Sequence, residues 1–139
     1  MRESGILMPV SSLPGPYGIG CFGAEAVKFV DFLAAAGQTI WQILPLSPTG
    51  YGDSPYQSCS AFAGNPYFID LEALRDEGLL TDGQLESADF GDDPCQIDYG
   101  ALYNSRYRLL RAAYGVWVDG CAGQHGCRKI GRASCRERV

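Results

Sequence analysis

The sequence predicts an α/β fold built on one parallel βαβ unit. Three observations predict it. Two short apolar runs, Gly5–Val10 and Ile40–Leu44, are each stopped by proline, which cannot donate to a sheet ladder. Between them lies a stretch with Ala26, Phe29, Val30 and Leu33 at the i, i+3, i+4, i+7 spacing of one helix face. The order strand, helix, strand then requires a parallel pair joined by a right-handed crossover.

The first run, Gly5 to Val10, reads as a strand ending around Pro9, and Ser11 to Tyr17 as a loop with two prolines. Gly18 to Gly23 opens the helix, and Gly37 suits the position just past its end. The second run carries Ile40, Trp41, Ile43 and Leu44 and ends at Pro45. An apolar run of this length reads as a strand buried on both faces, with Trp41 in the core. After a long loop, Asp70 caps a short helix with Leu71 and Leu74 on one side, closed by Gly78. Thr81-Asp82-Gly83-Gln84 has the form of a capping box. Ser87 to Pro94 is acidic and turn-rich, a solvated loop without the twelve-residue pattern of a calcium site. Asp98 caps a longer helix in which Leu102, Arg106, Leu109, Leu110 and Ala113 share a face, Arg106 being the exception to apolarity. Gly115 is expected to end it.

Composition narrows the function. With 139 residues, 46% hydrophobic and 19% charged, the chain suits one globular domain. No apolar run approaches the roughly 20 residues that cross a bilayer, and the amino-terminal run is too short for a signal segment. The expected location is cytoplasmic, with no membrane partner. Six cysteines without a CxxC pair then read as reduced thiols. Cys121, His125 and Cys127 offer three ligands in a Gly-rich stretch, fewer than a structural zinc site uses, so no metal is expected. The net charge of −5 is split. Residues 129–139 carry +3 and the rest −8. An acidic body excludes a nucleic-acid partner. The basic tail from Lys129 to Val139 resembles an in-frame translation of a sequencing-library adapter. It is set aside as non-native, leaving residues 1–128 as the folding unit.

Gly18, Gly20 and Gly23 match GxGxxG between a strand and a helix. A dinucleotide fold needs the glycines directly after the strand and an acid at the end of the next one. Here a seven-residue loop intervenes, and Leu44-Pro45-Leu46 stands where the acid belongs. The glycines are read as a turn that lets loop and helix pack closely, and no cofactor is expected. The loop after Pro45 carries Tyr51, Asp53, Tyr56 and Gln57 among glycine, proline and serine. From the residues alone it suits a ligand loop at the carboxyl end of a strand or a surface loop whose tyrosines pack on the domain.

The run Tyr51-Gly52-Asp53-Ser54-Pro55-Tyr56-Gln57-Ser58, with Leu13-Pro14-Gly15-Pro16-Tyr17-Gly18-Ile19-Gly20 before it and Ser60-Ala61-Phe62-Ala63-Gly64-Asn65-Pro66-Tyr67 after it, resembles the amino-terminal region of the amylomaltases. These are the 4-α-glucanotransferases, also called disproportionating enzyme. The resemblance runs from about Gly5 to about Val118. It implies the amino-terminal portion of a (β/α)8 TIM barrel: the first βαβ unit and part of a helical insertion, an incomplete barrel. A whole barrel needs roughly 250 residues.

The resemblance also implies the chemistry. Retaining transfer between α-1,4-glucans needs two carboxyl groups about 5 Å apart, a nucleophile and an acid/base. The family's catalytic acids lie on later strands, so no residue here is named catalytic. What the chain is expected to hold is substrate binding for α-1,4-glucans and maltooligosaccharides, whose sugar C–H faces pack on aromatic rings. Tyr56 matches a tyrosine that lines the site of the cleaved glucose, and Ser54 is placed to meet sugar hydroxyls. Tyr51 and Tyr103 match two tyrosines of a second glucan site. Asp53 is expected to hold the loop by bonding backbone N–H groups two residues on.

Overall fold

A computed structural model describes residues 3–122 apart from positions 51 and 94, and at 121 and 122 the backbone alone. Strand β1, Gly5–Leu7, pairs in parallel with β2, Ile40–Gln42, with Ile6 opposite Trp41. Helix α1, Ala24–Ala35, makes the crossover between them. Past its end, Gln38 N–H reaches Leu33 C=O at 2.9 Å and Gly37 N–H reaches Ala34 C=O at 3.0 Å. This is a Schellman closure, with Gly37 at φ 70°. The strands are shorter than the apolar runs. After β1 the chain turns through a 3-10 turn at Val10–Ser12, because Pro9 offers no donor to a ladder.

One expectation fails here. The strands are not buried on both faces: Ile6, Leu7 and Ile40 are exposed, at 41%, 59% and 46%. A two-stranded sheet has both edges open, and α1 covers one face only. On the covered face Trp41 packs edge-on against Phe29 with ring centroids 5.1 Å apart, and its indole N–H donates to Met8 C=O at 2.9 Å. Ala26 and Leu33 of α1 are buried, but Val30 is exposed, as are Val27 and Phe32 on other faces. The helix carries more apolar surface than this chain covers.

Beyond the long loop, helix α2, Leu71–Asp76, starts at Asp70, whose carboxylate accepts from Glu72 N–H at 3.0 Å. It closes at Gly78 with Leu79 N–H on Leu74 C=O at 2.9 Å. Helix α3, Asp82–Glu86, carries the capping box in full, Thr81 N–H donating to Gln84 Oε1 and Gln84 N–H to Thr81 Oγ1. Helix α4, Tyr99–Ala122, starts at Asp98, which accepts from Ala101 N–H at 3.0 Å. It does not stop at Gly115 as expected but runs through it to Ala122. Glycine only permits the left-handed turn that ends a helix. Here the apolar row continues to a half-buried Trp117, tilted against Tyr114 at 5.9 Å. The segment 129–139, expected to be non-native, and the Cys121, His125, Cys127 group lie outside the described side chains.

The helical side has its own core: Leu71, Leu80, Leu85, Leu109 and Ala113, with a neighbouring cluster of Ile19, Tyr67 and Leu102. Between them Arg106 is fully buried. Its guanidinium donates to Ile69 C=O at 2.6 Å and to Tyr17 C=O at 3.4 Å. The polar exception on the α4 face is thus a clamp on two loops. The glycine-rich turn is a packing device: a Cβ on Gly20 would collide with the Val10 carbonyl, and one on Gly23 would lie 2.7 Å from the Asp70 carboxylate. Among the described residues no helix is long and apolar enough to cross a membrane.

Two outcomes are expected. The purified 139-residue chain should self-associate and unfold without a sharp transition, because apolar side chains on β1, β2 and α1 stay in water. Light scattering with calorimetry checks this, and a single cooperative transition of a monomer would contradict it. In a full-length protein carrying this region, Arg106→Lys should cost about 2–3 kcal/mol. A flexible ammonium cannot reach both carbonyls as the planar fork does. The melting temperature of that variant is the measurement.

Candidate functional site

The loop from Thr49 to Ser58 is a folded unit. Thr49 and Ser58 form an antiparallel bridge, and Gly50 N–H donates to Gln57 C=O at 3.1 Å. Two turns fill the tip, with Asp53 N–H on Gly50 C=O and Gln57 N–H on Ser54 C=O, both at 3.1 Å. Asp53 has φ 54°, the one non-glycine in the left-handed region among the described residues. Aspartate tolerates that conformation better than most residues. Contrary to expectation, its carboxylate does not bond the backbone two residues on, because that residue is Pro55 and has no N–H. It accepts instead from the Thr49 hydroxyl at 3.4 Å.

Beside this loop lie two adjoining clefts. The inner one, about 190 Å³, sits off the carboxyl ends of both strands, where Pro9 to Ser11 and Leu44 to Leu46 meet Asp53, Tyr67 and Tyr99. The outer one, about 600 Å³, runs between the loop, with Thr49, Gly50, Gly52 and Asp53, and the first turns of α4. Its far wall is Tyr67 with Tyr99, Tyr103 and Tyr107. These rings touch in series. Tyr67 lies 6.0 Å from Tyr99 and 5.8 Å from Tyr107, and Tyr107 lies 5.0 Å from Tyr103, centroid to centroid.

Local sequence sets this wall. Tyr99, Tyr103 and Tyr107 recur every fourth residue, so one helix face presents all three. Tyr67 comes from a 3-10 turn, Pro66–Phe68, capped by the buried Asn65, whose side-chain oxygen accepts from Tyr67 N–H at 3.0 Å. Asn65 N–H in turn donates to Leu46 C=O at 2.8 Å, tying the turn to the segment that follows β2. Burial is the main influence on the phenols. It pushes Tyr67 up to about 12, helped by Tyr107 and Asp53. It raises Tyr99, with Asp53 second, and Tyr107, with Tyr103 second. All three remain neutral phenols able to donate and accept hydrogen bonds at physiological pH.

The sequence-predicted residues distribute unevenly. Asp53 lines both clefts and Tyr103, exposed at 61%, lines the outer one. Tyr56 is exposed at 73% and lines neither, and Ser54 accepts from Tyr56 N–H at 3.4 Å, a local turn contact. Tyr51 lies outside the described residues. Tyr67, Tyr99 and Tyr107 escaped the sequence reading. The every-fourth spacing of the helix tyrosines was a usable signal for two of them, while nothing local marked Tyr67. Among the described residues Asp53 is the lone carboxylate on either cleft, so the arrangement can hold a polyhydroxylated ligand against aromatic rings but does not present the paired acids of glycosidic-bond chemistry. Among the described residues no group of three histidine, cysteine or acidic side chains is placed to hold a metal.

Comparison with known proteins agrees on one family. A family model described as 4-alpha-glucanotransferase matches residues 8–128. The 4-alpha-glucanotransferase of Streptococcus pneumoniae is 58% identical over 112 residues, covering 81% of this chain and 22% of the relative. That of Thermus thermophilus is 51% identical over 113 residues, with the same shares. In structure, the chain is similar to the amylomaltase from Streptococcus agalactiae in complex with acarbose, with a TM-score of 0.82 and 47% identity over 86% of this chain and 24% of that one. The chain thus spans about a fifth of the length of the curated relatives it matches.

Tyr67 gives a pH signature. Its folded-state value of about 12 lies above the ordinary value near 10. Its stabilising contribution is therefore complete below pH 10 and is lost as pH rises toward 12. Ultraviolet titration of tyrosinate in a full-length protein carrying this region should show a late-ionising phenol that disappears in Tyr67→Phe.

Proposed function

The chain belongs to the 4-alpha-glucanotransferase family, and from that membership we propose that it is the amino-terminal part of a (β/α)8 barrel enzyme. That enzyme transfers α-1,4-glucan segments between maltooligosaccharides and starch-like glucans by retaining double displacement. The parallel β1–α1–β2 unit, with clefts at the carboxyl ends of its strands, supports the barrel reading. The amylomaltase bound to acarbose supports a glucan-like ligand.

The observation that carries the reading is the tyrosine wall opposite Asp53 and Thr49. Pyranose rings offer an apolar C–H face to a phenol and a rim of hydroxyls to carboxylate, hydroxyl and backbone groups. Tyr103 and Tyr51 form the second glucan site on this reading, with Tyr99 and Tyr107 extending it. Tyr56 and Ser54 serve at the rim where the cleaved glucose is held. For Tyr56 the exposure supports this, since the ring is free to stack on a sugar.

Double displacement proceeds in two steps. A carboxylate attacks the anomeric carbon as an acid protonates the leaving glucan, and a glucan hydroxyl then displaces the carboxylate while the acid/base residue, now deprotonated, takes the proton of that hydroxyl. Among the described residues this chain supplies one carboxylate at its clefts, not two, so its share is gripping and orienting the glucan, while the reacting acids belong elsewhere in a complete enzyme. The lone carboxylate also favours the second reading, a carbohydrate-binding piece without activity of its own. A cytoplasmic location is part of the proposal, and Cys21, Cys59 and Cys95 are free thiols.

In a full-length 4-alpha-glucanotransferase carrying residues 8–118 of this chain, Tyr56→Ala should lower transfer from maltotriose about tenfold or more, through lost stacking and positioning. Tyr103→Ala should act mainly on long glucans, raising KM for them more than for maltotriose. Near-normal turnover in Tyr56→Ala, measured as glucose release, would count against the assignment.

A further inference from the structure

The wall of the outer cleft has a second side. Tyr103 and Tyr107 also line a trough of about 250 Å³ on the surface of α4, completed by Asn104, Arg108 and Arg111. Arg111 continues the every-fourth row of Tyr99, Tyr103 and Tyr107, and Arg108 follows Asn104 at the same spacing. A ligand crossing the Tyr103–Tyr107 pair from the outer cleft therefore arrives at two guanidinium groups.

Both arginines are exposed, and among the described residues neither makes a hydrogen bond or an ion pair. One turn away along the helix, Arg108 meets Asn104, Ser105, Arg111 and Ala112, and Arg111 meets Tyr107, Arg108, Tyr114 and Gly115. No acid stands at any of these positions, in a body whose charge is otherwise strongly negative. Two like charges at i, i+3 repel each other, and a bound anion would relieve that cost. Guanidinium is the side chain best matched to phosphate, through paired charge-assisted hydrogen bonds. An adjoining phenol row selects for a sugar beside that anion.

We propose that the α4 face of Tyr103, Asn104, Tyr107, Arg108 and Arg111 binds the phosphate monoester of a phosphorylated α-glucan. The sugar carrying the ester lies against Tyr103 and Tyr107, and the phosphate lies between Arg108 and Arg111. The proposal rests on the glucan-groove reading above for the sugar, and on the arginine pair alone for the phosphate.

The test is local occupancy in a full-length 4-alpha-glucanotransferase carrying residues 8–118. Protection of Arg108 and Arg111 from phenylglyoxal, mapped by peptide mass spectrometry, reports this face whatever else the protein binds. Three probes are compared: maltoheptaose, the same glucan with a phosphate monoester on a glucose 6-hydroxyl, and inorganic phosphate. The phosphorylated glucan should protect at a concentration about fivefold or more below either of the others, an advantage over the neutral glucan that fades as salt rises. In R108Q the protection of Arg111 should need several-fold more phosphorylated glucan. Equal protection by neutral and phosphorylated glucan overturns the proposal, and inorganic phosphate matching the phosphorylated glucan overturns the ester assignment. Tyr103→Ala separates the two readings. If the phosphorylated glucan keeps its advantage over inorganic phosphate in that variant, the sugar-binding role of the groove falls while the anion site stands.

Discussion

The buried guanidinium of Arg106 is the contact on which the arrangement of this chain depends. It stands on α4, yet its two partners are backbone carbonyls from distant loops, Tyr17 before α1 and Ile69 before α2. Those carbonyls lie at the ends of irregular segments, where no ladder or helix satisfies them, and an unmet buried carbonyl is costly. One side chain therefore fixes where α4 sits relative to the strand-associated half. Burial lowers its pKa, but guanidinium starts so high that it stays charged. Its Nε has no partner among the described residues, so the clamp holds through its two terminal nitrogens.

The clefts are a consequence of that clamp. Tyr107 follows Arg106 directly, and Tyr103 lies one turn earlier, so fixing Arg106 fixes the height and rotation of the tyrosine face. The opposite wall is set independently by the bridge between Thr49 and Ser58 and by the left-handed turn at Asp53. Asn65 joins the two, holding the turn that carries Tyr67 while its N–H is tied to Leu46, on the segment that leads from β2 into the loop. The outer cleft is thus a gap between two separately anchored surfaces, preorganised on one side by helix geometry and on the other by turn geometry.

The division of labour in the proposed chemistry follows from electrostatics. A retaining site must keep two carboxyls close enough for one to hold a proton. Here, among the described residues, a single aspartate faces a row of phenols, of which burial raises the pKa of Tyr67, Tyr99 and Tyr107. Such a surface is suited to sugar, with one strong acceptor and several donors around apolar rings. The positive end of the same helix row extends that surface rather than supplying the missing acid.

Caps at Asp70, Thr81 and Asp98, the closures at Gly37 and Gly78 and the parallel pairing of the two apolar runs all follow from local chemistry and chain order, and the chain sequence alone determined them. The tyrosine face of α4 was written in its spacing, since helical periodicity is a local property. Three features were settled only in three dimensions. Whether the strands were covered depended on neighbours, and Ile6, Leu7 and Ile40 stand open because one helix can shield one face. Whether Gly115 ended α4 depended on packing beyond it, because glycine allows a left-handed turn without requiring one. That Tyr67 would join Tyr99 and Tyr107, and that Arg106 would clamp two loops, depended on contacts between residues 32 to 89 positions apart. A sequence encodes periodicity and turn chemistry residue by residue, whereas burial and long-range hydrogen bonds exist only once the chain has closed on itself.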